Sequence, residues 1–199
     1  MLGGIHAVSL GAFMAKARRL DPRSVTVVQI DAHLDMRNDD ADYSELPPNR
    51  YAHSCVMRRA HELGFQTCSV GIRAYALAEI DYARQHSLTV FEWGRGAQPS
   101  IADILASVTT ERVYLTIDVD GFDPSIFPAT GTPVPGGLGW EFGTALLRQL
   151  CLARELIGAD IVETAPDGRS GVTEYAAAQL CYDLISYKLL KQDGALRFN

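Results

Sequence analysis

The sequence predicts an α/β fold, a three-layer, doubly wound parallel sheet forming a single domain over residues 1–199. Two observations predict it. Short runs rich in Val, Ile and Thr alternate with longer segments of helical periodicity, the pattern of parallel strands joined by crossover helices and covered on both faces. The length, 199 residues, suits one sizeable core, because a chain of this size buries roughly 70% of its unfolded surface.

The elements follow in order. Ala7 to Leu20 reads as a helix from the spacing of its apolar residues. An α/β domain normally supplies a strand before a Gly-Gly turn such as Gly3-Gly4, and here that strand has almost no residues. Strands are expected at 25–31, 67–72, 88–92, 112–118 and 158–163, with helices at His53 to Leu63, Leu77 to His86, Ile101 to Val108 and Trp140 to Leu156. Thr173 to Leu190 closes the pattern as a last helix. Two loops interrupt it: Met36 to Tyr51, rich in Asp, Asn and Pro, and Gly121 to Gly139, with four of the nine prolines and five of the seventeen glycines. Long loops in compact domains often carry function.

Charge narrows the partners. Eighteen Lys and Arg against 24 Asp and Glu give a net charge of −6, which argues against a nucleic-acid or anionic-membrane partner and permits a small cationic substrate. No run approaches the ~20 apolar residues of a membrane helix, and no cleavable leader follows Met1, so a cytoplasmic protein is expected. Cys55, Cys68, Cys151 and Cys181 form no C-x-x-C pair and read as reduced, buried thiols.

The chemistry concentrates at two strand ends. Val25-Thr26-Val27-Val28-Gln29-Ile30 runs into Asp31-Ala32-His33-Leu34-Asp35, and residues two apart in an extended chain share a face. Val113 to Ile117 runs likewise into Asp118-Val119-Asp120. Carboxylates crowded in an apolar setting need a cation or a shared proton. In open α/β sheets the ligand crevice lies outside the carboxyl ends of the strands, where both clusters fall. Four aspartates with His33 and His6 are too many ligands for one ion; a pair of ions about 3.5–4 Å apart accommodates them and generates a nucleophile from a shared water. Oxygen-rich donors with two imidazoles suit Mn²⁺, with Fe²⁺, Zn²⁺ or Mg²⁺ less favoured. The implied reaction is hydrolysis.

Four ordered motifs carry a family resemblance: Gly3-Gly4-Ile5-His6, Asp31-Ala32-His33-Leu34-Asp35, Asp118 to Pro124, and Gly131 to Leu138. With them the chain resembles the ureohydrolases, the arginase and agmatinase family of guanidino hydrolases, and so implies an arginase-like fold. The resemblance implies that His6, Asp31, Asp35 and Asp118 hold one manganese ion and that Asp31, His33, Asp118 and Asp120 hold the other, with Asp31 and Asp118 bridging. It implies proton transfer through Asp35 and His53, and a guanidinium gripped by Glu163, the fork-shaped cation matching a bidentate carboxylate. Substrate contacts therefore fall to Glu163 and His53.

Tyr51 to Arg59 and Gly136 to Trp140 look more like agmatinase than arginase. Asp39, Asp40, Asp42 and Glu45 would favour a substrate with a second cationic amine, whereas Arg37 would suit the carboxylate of a guanidino acid. Agmatine, hydrolysed to putrescine and urea, is the expected substrate; arginase, guanidinobutyrase and a catalytically silent fragment are the alternatives. Ile5 stands where the family usually has an acidic residue, and the segment that family members carry ahead of the Gly-Gly turn is not in this sequence, so the chain reads as N-terminally truncated. A homo-oligomer is expected from the resemblance. His61 and His86, with no acidic motif beside them, read as structural.

Overall fold

The computed structural model describes residues 1–194 apart from positions 95, 97 and 167. Five parallel strands, β1 (Val25–Ile30), β2 (Gln66–Ile72), β3 (Thr89–Glu92), β4 (Arg112–Asp118) and β5 (Glu155–Val162), form one sheet in the order β3-β2-β1-β4-β5. The helices are α1 (Ser9–Ala17), α2 (Val56–Glu62), α3 (Leu77–Gln85), α4 (Ile101–Ser107), α5 (Trp140–Ala153) and α6 (Val172–Gln192).

The chain starts the sheet at its centre, adds β2 and β3 on one side, then returns to build β4 and β5 on the other. Handed crossovers force the covering helices to change face when the direction of winding changes. Accordingly, Phe13 of α1, Val56 and Met57 of α2 and Ile80 of α3 pack with Val25 and Val27, whereas Ile104 of α4, Leu146 and Leu150 of α5 and Leu180 of α6 pack with Val28, Ile30 and Leu115. Each strand of the central pair presents alternate residues to the two layers, so β1 is buried along its whole length. The reversal point lies between β1 and β4, and the crevice of a doubly wound sheet opens there, outside the carboxyl ends.

All five expected strands and all six helices are present, with shifted ends. The expected helices at Ala7 and His53 begin instead as single 3-10 turns, His6–Val8 and His53–Cys55. β5 starts three residues earlier than expected because Ile157 is an extra residue in its pairing with β4, and the bulge keeps Glu155 and Leu156 in register. The strand wanted before Gly3-Gly4 is reduced to a bridge between Leu2 and Ile161. Elsewhere along this outer edge, Lys16 and Lys188 donate from Nζ to the carbonyls of Ile157 and Leu156, covering groups that an edge strand would otherwise leave open. All four cysteines are free thiols. Among the described residues, no helix is long and apolar enough to cross a membrane.

Candidate metal centre

Asp31 and Asp118 lie at the ends of adjacent parallel strands, in a register that pairs Ile30 with Ile117. Side-by-side pairing therefore brings two carboxylates together with no help from the loops. Beyond that point, strand alternation does not deliver the remaining ligands. The extended geometry stops at Ile30; His33 N–H turns back onto Asp31 Oδ1 at 2.6 Å, and Asp35 sits in the left-handed region at φ +54°. On the other strand a 3-10 turn at Val119–Gly121 lets Asp120 N–H donate to Asp118 Oδ1 at 3.0 Å. Short turns anchored on the aspartates, rather than a period of two, gather the side chains.

His6 arrives from the opposite direction. Gly3 N–H bonds to Ile161 O, Glu163 N–H bonds to Gly4 O, and Glu163 Oε1 accepts His6 N–H at 2.6 Å. The imidazole is thereby inserted above β4. Its Nδ1 lies 3.1 Å from Asp31 Oδ2, 3.1 Å from Asp35 Oδ2 and 3.4 Å from Asp118 Oδ2. His33 Nδ1 lies 3.1 Å from Asp120 Oδ2 and 3.5 Å from Asp31 Oδ1. Two ligand sets result, His6–Asp31–Asp118 and Asp31–His33–Asp120. Asp31 belongs to both, one oxygen turned to each imidazole. Asp118 falls in the first set through Oδ2, while its Oδ1 accepts the Asp120 N–H.

The electrostatics are those of crowded, buried charge. Asp31, Asp35, Asp118, Asp120 and His6 are all less than 5% exposed. Burial and the Asp31 charge push Asp35 up to about 7 and raise Asp118 well above the usual carboxylate range. Burial opposes the charged form of His33, yet the Asp120 and Asp31 carboxylates overcome it and push the imidazole up to about 11. His6 is likewise raised against its burial by Asp118, Asp31 and Asp35. Its Nδ1 makes no hydrogen bond despite three carboxylates within reach. An orphaned imidazole nitrogen among converging carboxylate oxygens is what a divalent cation would satisfy.

A buried polar row behind the ligands has no counterpart in the sequence reading. Ser69, Gln29, Thr116 and Asp160 are paired neighbours across β2, β1, β4 and β5, and all are at most 1% exposed. Gln29 Nε2 donates to Asp31 Oδ2 at 2.7 Å. Thr116 gives its single hydroxyl hydrogen to Asp160 Oδ1 at 2.6 Å, and Tyr114 OH donates to Asp160 Oδ2 at 2.7 Å. His6 Nε2, 2.8 Å from Thr116 Oγ1, must then be the donor, which leaves Nδ1 to face the carboxylates and to carry there either a proton or, in its place, a cation. The available signal was a polar residue flanked by apolar ones on both sides in each of four strands.

Close packing holds the three strand ends together. A Cβ on Gly121 would meet Asp31 N at 2.5 Å, and one on Gly71, which also has φ +98°, would meet Asp31 O at 2.8 Å. The buried Arg73 guanidinium donates to the carbonyls of Gly71, Asp120, Gly121, Phe122 and Val134, tying β2 to the loop after β4. That loop returns Thr132 to Asp120 Oδ2 at 3.1 Å.

A cavity of about 380 Å³ opens on the centre, lined by His33, Asp35, Arg37, Tyr43, His53, Ser54, Ala74, Tyr75, Ala76, Glu79 and Thr132. His53 thus faces the same space as two of the ligands, its ring 6.0 Å from that of Tyr43. Glu163, with φ +61°, stands on the His6 side and outside this lining. Arg37 is engaged: it pairs with Asp42, lies 3.6 Å from Glu79 Oε2 and stacks on Tyr43. Glu79 is buried and fixes the loop by accepting Met36 N–H and Ala76 N–H.

Comparison with known proteins agrees with this geometry. The chain is 42% identical over 189 residues to an N(1)-aminopropylagmatine ureohydrolase of Synechocystis sp., covering 94% of this chain and 59% of the relative. It is 35% identical over 188 residues to an agmatinase of Pyrococcus horikoshii, covering 92% and 60%. The crystal structure of the agmatine ureohydrolase of Thermoplasma volcanium superposes with a TM-score of 0.80 at 33% identity, covering 97% of this chain and 63% of that one. The chain thus spans about three-fifths of the length of these relatives. The model of the Arginase family matches residues 1–186, and with the fold, the two ligand sets and the relatives in accord, the chain belongs to the arginase family.

Proposed function

We propose that this chain carries the catalytic centre of a ureohydrolase that splits a guanidino compound with a cationic tail into urea and an amine, using two Mn²⁺ ions, and that its substrate is agmatine. The observation that carries the reading is Asp31, one buried carboxylate divided between two imidazole-containing ligand sets. His6, Asp31, Asp35 and Asp118 would hold one ion and Asp31, His33, Asp118 and Asp120 the other. A pair of divalent ions there supplies a nucleophile from water at neutral pH and stabilises negative charge as it develops.

The chain's own groups do the rest. Glu163 accepts His6 N–H at Oε1, which holds its carboxylate on the His6 side of the centre to accept from a guanidinium N–H. Asp35, whose buried carboxyl lies beside Asp31, receives the proton lost by the attacking water. His53, on the cavity wall, relays a proton from solvent to the departing amine. Thr116 and Asp160 hold the His6 ring in one tautomer throughout.

The cavity favours an amine tail. Arg37 is already paired with Asp42 and lies 3.6 Å from Glu79 Oε2, so it offers no free charge to a substrate carboxylate, and with Asp35 and Glu79 in the lining against one arginine the rim stays acidic. This supports agmatine over arginine or 4-guanidinobutyrate. N(1)-aminopropylagmatine is the second reading, favoured by the 42% identity to the Synechocystis relative; its extra amine suits the same acidic rim. A cytoplasmic homo-oligomer, with neither nucleic acid nor membrane as partner, completes the proposal. Urea release from agmatine, N(1)-aminopropylagmatine, 4-guanidinobutyrate and arginine, measured on the full-length Mn²⁺-loaded protein, tests it. The two amine-tailed compounds should lead. Preference for either amino acid-like compound would refute the reading of Arg37, and no urea from any of the four would leave the silent-fragment alternative.

A further inference from the structure

At the amino end of the sheet, opposite the centre described above, a second pair of imidazoles comes together with no carboxylate between them. His61 lies in the last turn of α2, and His86 caps the C-terminus of α3. Their ring centroids are 5.0 Å apart, with the planes at 59°. Two imidazoles bound to one tetrahedral ion at about 2.0–2.1 Å place their ring centres about 5 Å apart. Tyr82 organises the pair. Its hydroxyl meets His61 Nδ1 at 2.8 Å, leaving Nε2 as the coordinating nitrogen, and its ring stacks on His86 at 4.3 Å. Such a hydrogen bond to the non-coordinating nitrogen is the usual support of a histidine ligand.

The surroundings suit a cation bound by neutral imidazoles. Burial, then the neighbouring His86, lowers the His61 pKa, so its ring is neutral at physiological pH. The C-terminal ends of two helices converge on the pair, and their exposed carbonyls favour positive charge. Arg58, stacked on Tyr82 at 4.0 Å, is itself paired with Glu62, which tempers its repulsion. A cavity of about 350 Å³ beside the rings, lined also by Gln66, Ser87 and Thr89, leaves room for water to complete the coordination.

We propose that His61 and His86 form a separate site for a transition-metal ion of the Zn²⁺ class, with Tyr82 as its positioning residue, joining α2 to α3. Nitrogen donors without carboxylates select Zn²⁺, Cu²⁺ or Ni²⁺, whereas the oxygen-rich centre suits Mn²⁺, so the two sites are chemically distinct. The site also braces the helix whose other end carries His53.

The test is a Zn²⁺ titration of the full-length protein already loaded with Mn²⁺, with diffraction data collected at the zinc edge. The expected result is one Zn²⁺ bound without release of Mn²⁺, anomalous density between the His61 and His86 rings, and affinity reduced at least tenfold in His61→Gln and in His86→Asn. Tyr82→Phe should weaken binding by about tenfold. Zn²⁺ that only displaces Mn²⁺, binds His86→Asn as tightly as the parent, or gives its density elsewhere would overturn the proposal. Because His86 is exposed, its variant keeps the test open even if His61→Gln does not fold, and the diffraction needs no variant.

Discussion

Two pairs of imidazoles occupy opposite ends of one sheet and behave in opposite ways. At the carboxyl ends, His33 is pushed up to about 11 by Asp120 and Asp31, against its burial. At the amino ends, His61 is lowered by burial and by His86, and the opposing charge of Glu62 does not reverse the effect. The residue type is the same; the neighbours decide whether it holds a proton. The difference follows from topology. Strand ends at the reversal point between β1 and β4 can be packed side by side with charged residues because ions can be supplied there. The other end offers helix termini and strand starts such as Gln66 and Thr89, with no cluster of carboxylates beside the two rings.

The sharpest way to break the comparison is Asp31→Asn. Removing the carboxylate shared by both ligand sets should abolish binding of the pair of ions and lower urea release by on the order of 10³-fold, since a metal contributes several kcal/mol of charge stabilisation. Metal content per chain and steady-state rate check it together. A retained rate would mean that the two sets are not one centre.

Arg73→Met acts on the frame instead. Five carbonyls lose a buried cationic donor, and the loop carrying Asp120 loses its tie to β2, so the protein should be destabilised by about 2–4 kcal/mol, read by denaturant unfolding. Thr116→Val then probes ligand orientation. It leaves His6 Nε2 without an acceptor and should weaken Mn²⁺ binding by about 10–100-fold, while Thr116→Ser should restore it. Equal affinity in both variants would reduce the polar row to packing.

A smaller effect concerns protons. His33 is pushed up to about 11 and Asp35 to about 7, and His6 and Asp118 are raised in the same direction, so the cluster holds protons at neutral pH, the His33 proton first among them, that an ion must displace. Mn²⁺ binding should release protons and tighten as pH rises from 6 toward 8, which calorimetry in buffers of different ionisation enthalpy measures. The smallest effect is expected at the far end. His86→Asn should leave Mn²⁺ occupancy and urea release within about twofold of the parent, because its ring contacts, His61 and Tyr82, lie outside the lining of the catalytic cavity.

Much of this was legible in the residues because local signals and fold agree. Apolar runs marked every strand, and two runs ending in aspartate marked the crevice. What stayed hidden was non-local or depended on backbone turns. Alternation put Asp31, His33 and Asp35 on one side, but an aspartate-anchored turn and a left-handed Asp35 gather them. Gln29, Thr116 and Asp160 are far apart in the chain, and only strand register makes them a row. Ile5 stands where the family usually has an acidic residue, and the support of the His6 ring runs instead through Thr116, on Nε2. Gly71, inside an expected strand, and Gly121, at the start of an expected loop, carry no local mark of the close approach of Asp31 that excludes a side chain at either. His61 and His86 looked structural because their meeting depends on how α2 and α3 pack.

The central claim is that one buried carboxylate joins two ion sites. Diffraction from the full-length protein at the manganese edge tests it directly. Two peaks are expected, one within bonding distance of His6 Nδ1 and the other of His33 Nδ1, with Asp31 reaching both. A single peak, or two that Asp31 does not span, would contradict it.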